Sequence, residues 1–156
     1  NRQQKTIHVD LNLETNFGPK TIKNNIDSKP EFVWMTAESL GDNDPALNYY
    51  SNLPAVFIFD KPLLNYLQLS TKRIIFLLDC LRELSNKRGT QVYLDDPIEY
   101  LKNKNFASTF AAVPKYKKIT RVNIPTTEFP SVRLVKPINF YPSSYSSWKK
   151  RIELNI

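Results

Sequence analysis

The segment Pro54-Ala55-Val56-Phe57-Ile58-Phe59-Asp60 decides the fold class, because five consecutive apolar residues between two turn-forming ends indicate a buried strand. A helix is expected next, since apolar residues recur at spacings of three and four from Ile74 to Leu84. Val92-Tyr93-Leu94 then has the pattern of another strand. Strand, helix and strand in this order predict parallel strands joined by right-handed crossovers.

The flanking sequence extends this pattern in both directions. Phe32-Val33-Trp34-Met35 indicates an earlier buried strand, and Asp44-Pro45 and Asp96-Pro97 each indicate the start of a short helix. Residues 106–110 are expected to form a fourth strand. The prediction is therefore a single Rossmann-like α/β domain, an open parallel sheet with helices on both faces.

The two ends of the chain have a different composition from its middle. Residues 1–30 are polar and are expected to form an N-terminal arm with at most a short edge strand over residues 6–11. The α/β domain is predicted to span residues 31–136. Its part beyond Pro114 contains frequent prolines, and one strand is expected there, over residues 132–135. Residues 137–156 are predicted to form a basic, aromatic tail.

The composition excludes several classes of function. The chain contains one histidine and one cysteine, which argues against Ser-His-Asp hydrolysis, Cys-His chemistry and a thiolate metal cluster. Three scattered glycines exclude the glycine-rich phosphate loops. No apolar run approaches the length of a membrane-spanning helix and no secretory signal is visible, so a cytoplasmic protein is expected. No nucleophile–base pair can be assigned, which favours a binding protein without catalytic activity of its own.

Positive charge is concentrated in the C-terminal part of the chain. The net charge is +7, with 11 basic against 13 acidic residues in residues 1–99 and 11 against 2 in residues 100–156. Such a segment favours nucleic acid, a phosphate-bearing cofactor or an acidic protein surface as partner, although a solvated surface has the same pattern. Lys115, Lys117 and Lys118 are the candidate contacts, and Trp148 either anchors a partner or tucks against its own domain.

Four motifs in order resemble the N-terminal α/β domain of the DNA photolyase/cryptochrome family. The resemblance covers about residues 31–110 and rests on a strand followed by an Asp-Asn-Asp-Pro-Ala-Leu turn, a second strand ending in aspartate, a Lys-Arg-Ile-Ile-Phe-Leu-Leu helix and an Asp-Pro helix start. These lie at residues 32–47, 54–60, 71–84 and 94–101. Two positions depart from the family pattern: Thr36-Ala37 replaces a basic pair, and Asp95 replaces a glycine.

The resemblance implies a role in a larger assembly. In that family the flavin and the DNA lesion are bound by a helical domain, to which the sequence shows no resemblance. The family likeness therefore implies a photolyase-like α/β subunit that acts with a separate FAD-binding helical protein in light-dependent DNA repair or a blue-light response. FAD is then expected only in that partner, and no membrane partner is expected.

A small ligand in the chain's own sheet is the alternative that the resemblance implies. In open α/β sheets ligands bind outside the carboxyl ends of the strands, where Met35, Thr36, Asp60 and Asp96 are expected to lie. In some relatives this crevice holds an antenna chromophore, namely a folate, a deazaflavin or a flavin nucleotide. Arg73 is the candidate for an anionic group, or else it pairs with a neighbouring carboxylate. Asp60 and Asp96 either accept hydrogen bonds from the ligand or cap helices.

Overall fold

Six strands form one sheet in the computed structural model, which describes residues 23–24, 28–41, 43–67, 69–132 and 143–151. Residues 19–132 make up the α/β unit that contains this sheet, and residues 143–151 belong to a second unit. The strands predicted over 6–11 and 133–135 lie outside the described residues, as do most of the predicted arm and part of the predicted tail.

The sheet has the strand order β1-β6-β5-β2-β3-β4, and β2 to β6 are all parallel. This confirms the predicted Rossmann-like parallel sheet and places residues 32–35 beside residues 55–60 at its centre. The short β1, which falls in the segment predicted as an arm, pairs antiparallel with β6. The strands are β1 (Lys23–Asn24), β2 (Phe32–Met35), β3 (Ala55–Asp60), β4 (Thr90–Asp95), β5 (Phe106–Thr109) and β6 (Thr127–Phe129).

Helices connect the strands, and two of them were missing from the sequence prediction. The short α2 follows β3 directly, and α5 occupies part of the region expected to be irregular beyond Pro114. Pro114 at the first turn of α5 is compatible with a helix, because its missing N–H has no partner there anyway. The helices are α1 (Pro45–Tyr49), α2 (Lys61–Tyr66), α3 (Thr71–Ser85), α4 (Pro97–Leu101), α5 (Pro114–Val122) and, in the second unit, α6 (Tyr145–Lys149).

Buried side chains form a layer on each face of the sheet, which confirms the prediction of helices on both sides. One layer joins Leu47 of α1 and Leu81 of α3 to Phe57 of β3. The other joins Trp34 of β2 to Tyr116 of α5. The two layers follow from the alternation of side chains along each strand, because neighbouring residues point to opposite faces.

The apolar arc of α3 is wider than its buried face. Leu77, Leu81 and Leu84 are buried as the spacing predicts, but other apolar residues of the helix remain exposed. Cys80, on the same helix, is half-buried. The prediction overestimated the burial of α3, because β4, the nearest strand along the chain, is itself exposed and gives the helix little to cover.

An aspartate begins three of the helices. Asp44, Asp60 and Asp96 each accept a hydrogen bond of 2.9 Å from a backbone N–H in the first turn of α1, α2 and α4. A proline follows each aspartate within two residues and supplies the helical φ angle without losing a needed donor. The predicted capping role of these aspartates is confirmed.

Candidate ligand-binding crevice

A cavity of about 230 Å³ opens at the carboxyl ends of β2 and β3. Its walls come from the ends of these strands and from the helices that follow β3 and β5. The strand order reverses at β2, because the chain builds outward through β3 and β4 and then returns to β5 on the other side of β2. This is the part of an open α/β sheet in which ligands are generally bound.

Leucines of α2 and of the segment after it form one wall of the crevice. Leu63 and Leu64 are half-buried and Leu67 is exposed, and Leu69 follows them on the way to α3. The Asp60 cap turns the chain into α2 immediately after β3, which brings these side chains over the strand ends. The wall is therefore apolar and belongs to a short helix.

The floor of the crevice is aromatic, and its tyrosine hydroxyl is already hydrogen-bonded. The rings of Trp34 and Tyr116 are stacked with centroids 5.5 Å apart. The Tyr116 hydroxyl donates to Glu128 Oε1 at 2.9 Å and shares a 2.8 Å hydrogen bond with Ser108 Oγ. Burial, more than the neighbouring Glu128 charge, raises the pKa of Tyr116 far above its ordinary value, so it stays a neutral donor. A ligand entering the crevice would meet an apolar floor.

Two cations line the crevice together with two carboxylates, Asp60 and the exposed Glu38. Lys115 Nζ lies 2.5 Å from Asp60 Oδ2, and the two side chains are 33% and 11% exposed. Arg73, at the start of α3, is exposed and lines the same cavity. Among the described residues no carboxylate lies within ion-pairing distance of Arg73, so the surface ion pair considered as its alternative role is not found there.

The backbone after β2 is engaged in its own turn. The Thr36 N–H donates to Ser39 Oγ at 3.1 Å, and the Thr36 carbonyl accepts from the N–H of Ser39 at the same distance. This N–H is therefore not free to cradle a phosphate. An anionic group in the crevice would be held by the side chains of Arg73 and Lys115 instead.

The structure brings together four of the five residues predicted for the cofactor site. Met35, Thr36, Asp60 and Arg73 all line the crevice, and Met35 is fully buried at its inner end. Asp96 does not line it and instead caps α4, with its neighbour Pro97 in the lining.

The three lysines predicted as contacts do not share one position on α5. Lys115 lines the crevice, whereas Lys117 and Lys118 are exposed and do not line it. By helical spacing Lys117 lies nearly opposite Lys115, and Lys118 lies between the two around the helix axis. This follows from the burial of Tyr116 and Ile119, which fixes the rotation of α5 about its axis. Arg121 is exposed on the same side as Lys117, four residues along.

Trp148 lies in α6, in the second unit, where its ring packs on Tyr145 at 5.6 Å between centroids. This contact within α6 is local and assigns Trp148 neither to a partner nor to the crevice.

The leucine wall and the position of Lys115 were missed from the sequence. The signal for the wall was present, since Asp60-Lys61-Pro62 is a helix start and Leu63 and Leu67 are four residues apart. In the described part of the chain, no group of three or more metal-ligating residues was found, and no helix is long and apolar enough to cross a membrane. In comparisons with known proteins, no family model, no curated protein and no solved structure matches this chain.

Proposed function

We propose that this protein is a non-catalytic binding module whose crevice holds a small planar molecule with an anionic group, of the antenna-chromophore or nucleotide type. Folates, deazaflavins and flavin nucleotides are members of this class. The observation that carries the proposal is the combination of an apolar cavity at the strand ends with Arg73 and Lys115 in its lining.

The chemistry of the lining suits such a ligand. The aliphatic wall and the Trp34–Tyr116 floor would cover an uncharged ring system and exclude water from it. Arg73 would donate a fork of two hydrogen bonds to a carboxylate or phosphate, because its guanidinium has no carboxylate partner among the described residues. Lys115 could exchange its contact with Asp60 for a contact with the same anionic group.

Purification of the full chain from its native host tests this proposal directly. We expect absorbance in the near-ultraviolet or visible range and release of a folate, deazaflavin or flavin on denaturation. Arg73→Ala should lose the bound compound, whereas Lys72→Ala, the neighbouring exposed cation that does not line the cavity, should retain it. A colourless wild-type protein that releases no such compound would contradict the proposal.

A second candidate function is supported by a different surface. Lys117, Lys118 and Arg121 are exposed on α5, and none of them has an acidic partner within the described residues. This face suits an anionic partner, and we propose for it a separate FAD-binding helical protein in light-dependent DNA repair or a blue-light response. DNA itself is the competing occupant. The single cysteine fits a reducing compartment, and the proposal places this activity in the cytoplasm.

Charge reversal on α5 distinguishes these partners. A FAD-containing protein that co-purifies with the wild type should be lost with Lys117→Glu/Lys118→Glu and retained with Lys72→Glu. If DNA is the partner, the same double variant should weaken binding of a duplex oligonucleotide, and wild-type affinity should fall steeply with salt. Retention of every partner by the double variant would contradict the role of this face.

A further inference from the structure

Asp60 engages each of its two carboxylate oxygens with a different neighbour. Oδ1 accepts a hydrogen bond of 2.9 Å from the Leu63 N–H and so begins α2. Oδ2 lies 2.5 Å from Lys115 Nζ and is shielded from solvent. The Asp60 side chain is 11% exposed, so departure of Lys115 would leave a buried carboxylate without a counter-ion, which is unfavourable. Asp60 therefore restrains Lys115 from neutralising the charge of a ligand.

The charged side chains that line the crevice sum to zero. Lys115 and Asp60 cancel each other, and the other charged members of the lining are Arg73 and Glu38. Both are exposed, and in the described part of the chain neither lies within ion-pairing distance of an opposite charge. Arg73 is consequently the cation of this lining that can bind an anion without breaking an ion pair.

A single guanidinium suits a carboxylate better than a phosphate monoester. A carboxylate has one negative charge, shared by two oxygens that match the fork of donors on Arg73. A phosphate monoester has a charge of about −1.5 to −2 at neutral pH. Its second charge would lose hydration in the crevice without meeting a second free cation. The backbone N–H of Thr36 does not replace that cation, because it already donates to Ser39 Oγ.

We propose that Asp60 makes the crevice selective for planar ligands with a carboxylate over planar ligands with a dianionic phosphate ester. Asp60 acts through Lys115 and is a specificity-determining residue that does not itself bind the ligand. This inference rests on the proposed function, since it concerns the anionic group of the molecule held in the same crevice. Within the proposed ligand class it favours a carboxylate-bearing ring over a nucleotide, and the volume of about 230 Å³ fits a small ring system.

Two probes that differ in the anionic group test this selectivity. 1-Naphthylacetate and 1-naphthyl phosphate share a planar bicyclic ring, and in each the acidic group is joined to the ring through one atom. Isothermal titration calorimetry of the full chain at about pH 7.5, where the phosphate ester is mostly a dianion, gives both dissociation constants. We expect the wild type to bind 1-naphthylacetate at least about tenfold more tightly, which is the factor typical of one charge-assisted hydrogen bond.

Replacing Asp60 by asparagine separates selectivity from folding. Asparagine keeps the cap on the Leu63 N–H and removes the charge that restrains Lys115. Asp60→Asn should therefore tighten the binding of 1-naphthyl phosphate at least about tenfold and abolish the preference. Asp60→Asn/Lys115→Met should restore the wild-type preference, because the released cation is then missing. Asp96→Asn is the matched control, since Asp96 caps α4 in the same way without lining the crevice, and it should leave both affinities unchanged.

The ratio of the two dissociation constants decides the proposal. A wild type that binds the two probes equally or prefers the phosphate would overturn it, as would an unchanged ratio in Asp60→Asn. Tighter phosphate binding that persists in the double variant would also overturn it, because Asp60 would then not act through Lys115. Binding of neither probe by the wild type would instead contradict the proposed function, and the selectivity with it.

Discussion

Replacing Lys115 by methionine removes the ion pair with Asp60 while keeping most of the aliphatic stem of the side chain. Exposed ion pairs contribute about 0.2–1 kcal/mol, and loss of one partner from a buried pair costs about 3–5 kcal/mol. Asp60 is 11% exposed and Lys115 is 33% exposed, so this pair lies between the two cases. We expect Lys115→Met to lower the free energy of unfolding by about 2 kcal/mol.

Asp60→Asn provides the second variant of the cycle. Asparagine also caps helices, so the hydrogen bond from the Leu63 N–H to the side chain is kept while the charge is removed. The double variant should then cost less than the sum of the single variants, with a coupling energy of about 1.5 kcal/mol. The reason is that each single variant leaves one charge without its partner, whereas the double variant removes both charges.

Urea unfolding followed by circular dichroism measures all four proteins. A loss of 2 kcal/mol corresponds to a fall of about 1 M in the urea midpoint at the m-values usual for small domains. Lys117→Met is the control, because Lys117 is exposed on the other side of α5 and should shift the midpoint little. Additive single effects, or equal effects of Lys115→Met and Lys117→Met, would refute the assignment of Lys115 to the crevice.

Three further predictions concern buried or half-buried polar groups. Burial raises the pKa of Asp44 above 3.8, so the folded state holds its proton to higher pH than the unfolded state. The stability of the wild type relative to Asp44→Asn should therefore fall in urea titrations as pH rises above 3.8 and the buried carboxyl ionises, and a constant difference would contradict this. Asp96→Ala should lower the free energy of unfolding by about 1 kcal/mol through loss of the cap on the Ile98 N–H, while Asp96→Asn should be nearly neutral and neither should alter ligand binding. Tyr116→Phe should cost about 1–3 kcal/mol in the same assay because two hydrogen bonds are lost, and an unchanged midpoint would contradict the buried network.

The parallel sheet could be predicted from local sequence because its central strands are nearly all apolar. Val33, Trp34, Val56 and Phe57 are buried on both faces of the sheet, and a run of such residues has few other stable arrangements in a protein of this size. The starts of α1 and α4 could be predicted in the same way, since an aspartate followed directly by a proline combines a cap with a suitable first turn.

The missed elements depend on contacts between distant residues. The strand β6 contains Glu128, a residue that rarely occupies a buried strand, and Tyr116 on α5 donates a hydrogen bond to it. No local sequence pattern predicts this hydrogen bond between Tyr116 and Glu128. The position of Lys115 was missed for a related reason, since only the burial of Tyr116 and Ile119 shows which side of α5 faces the crevice.

The tryptophan fluorescence of a Trp148→Phe variant tests the ligand-binding crevice most directly. Trp34 is then the only tryptophan, and it lines the cavity while being 4% exposed. Titration with a folate and with flavin mononucleotide should give saturable quenching by at least one of them, and Arg73→Ala should weaken that affinity about tenfold or more, as loss of a charge-assisted hydrogen bond does. Absence of saturable quenching by both compounds, or an affinity unchanged by Arg73→Ala, would contradict the account.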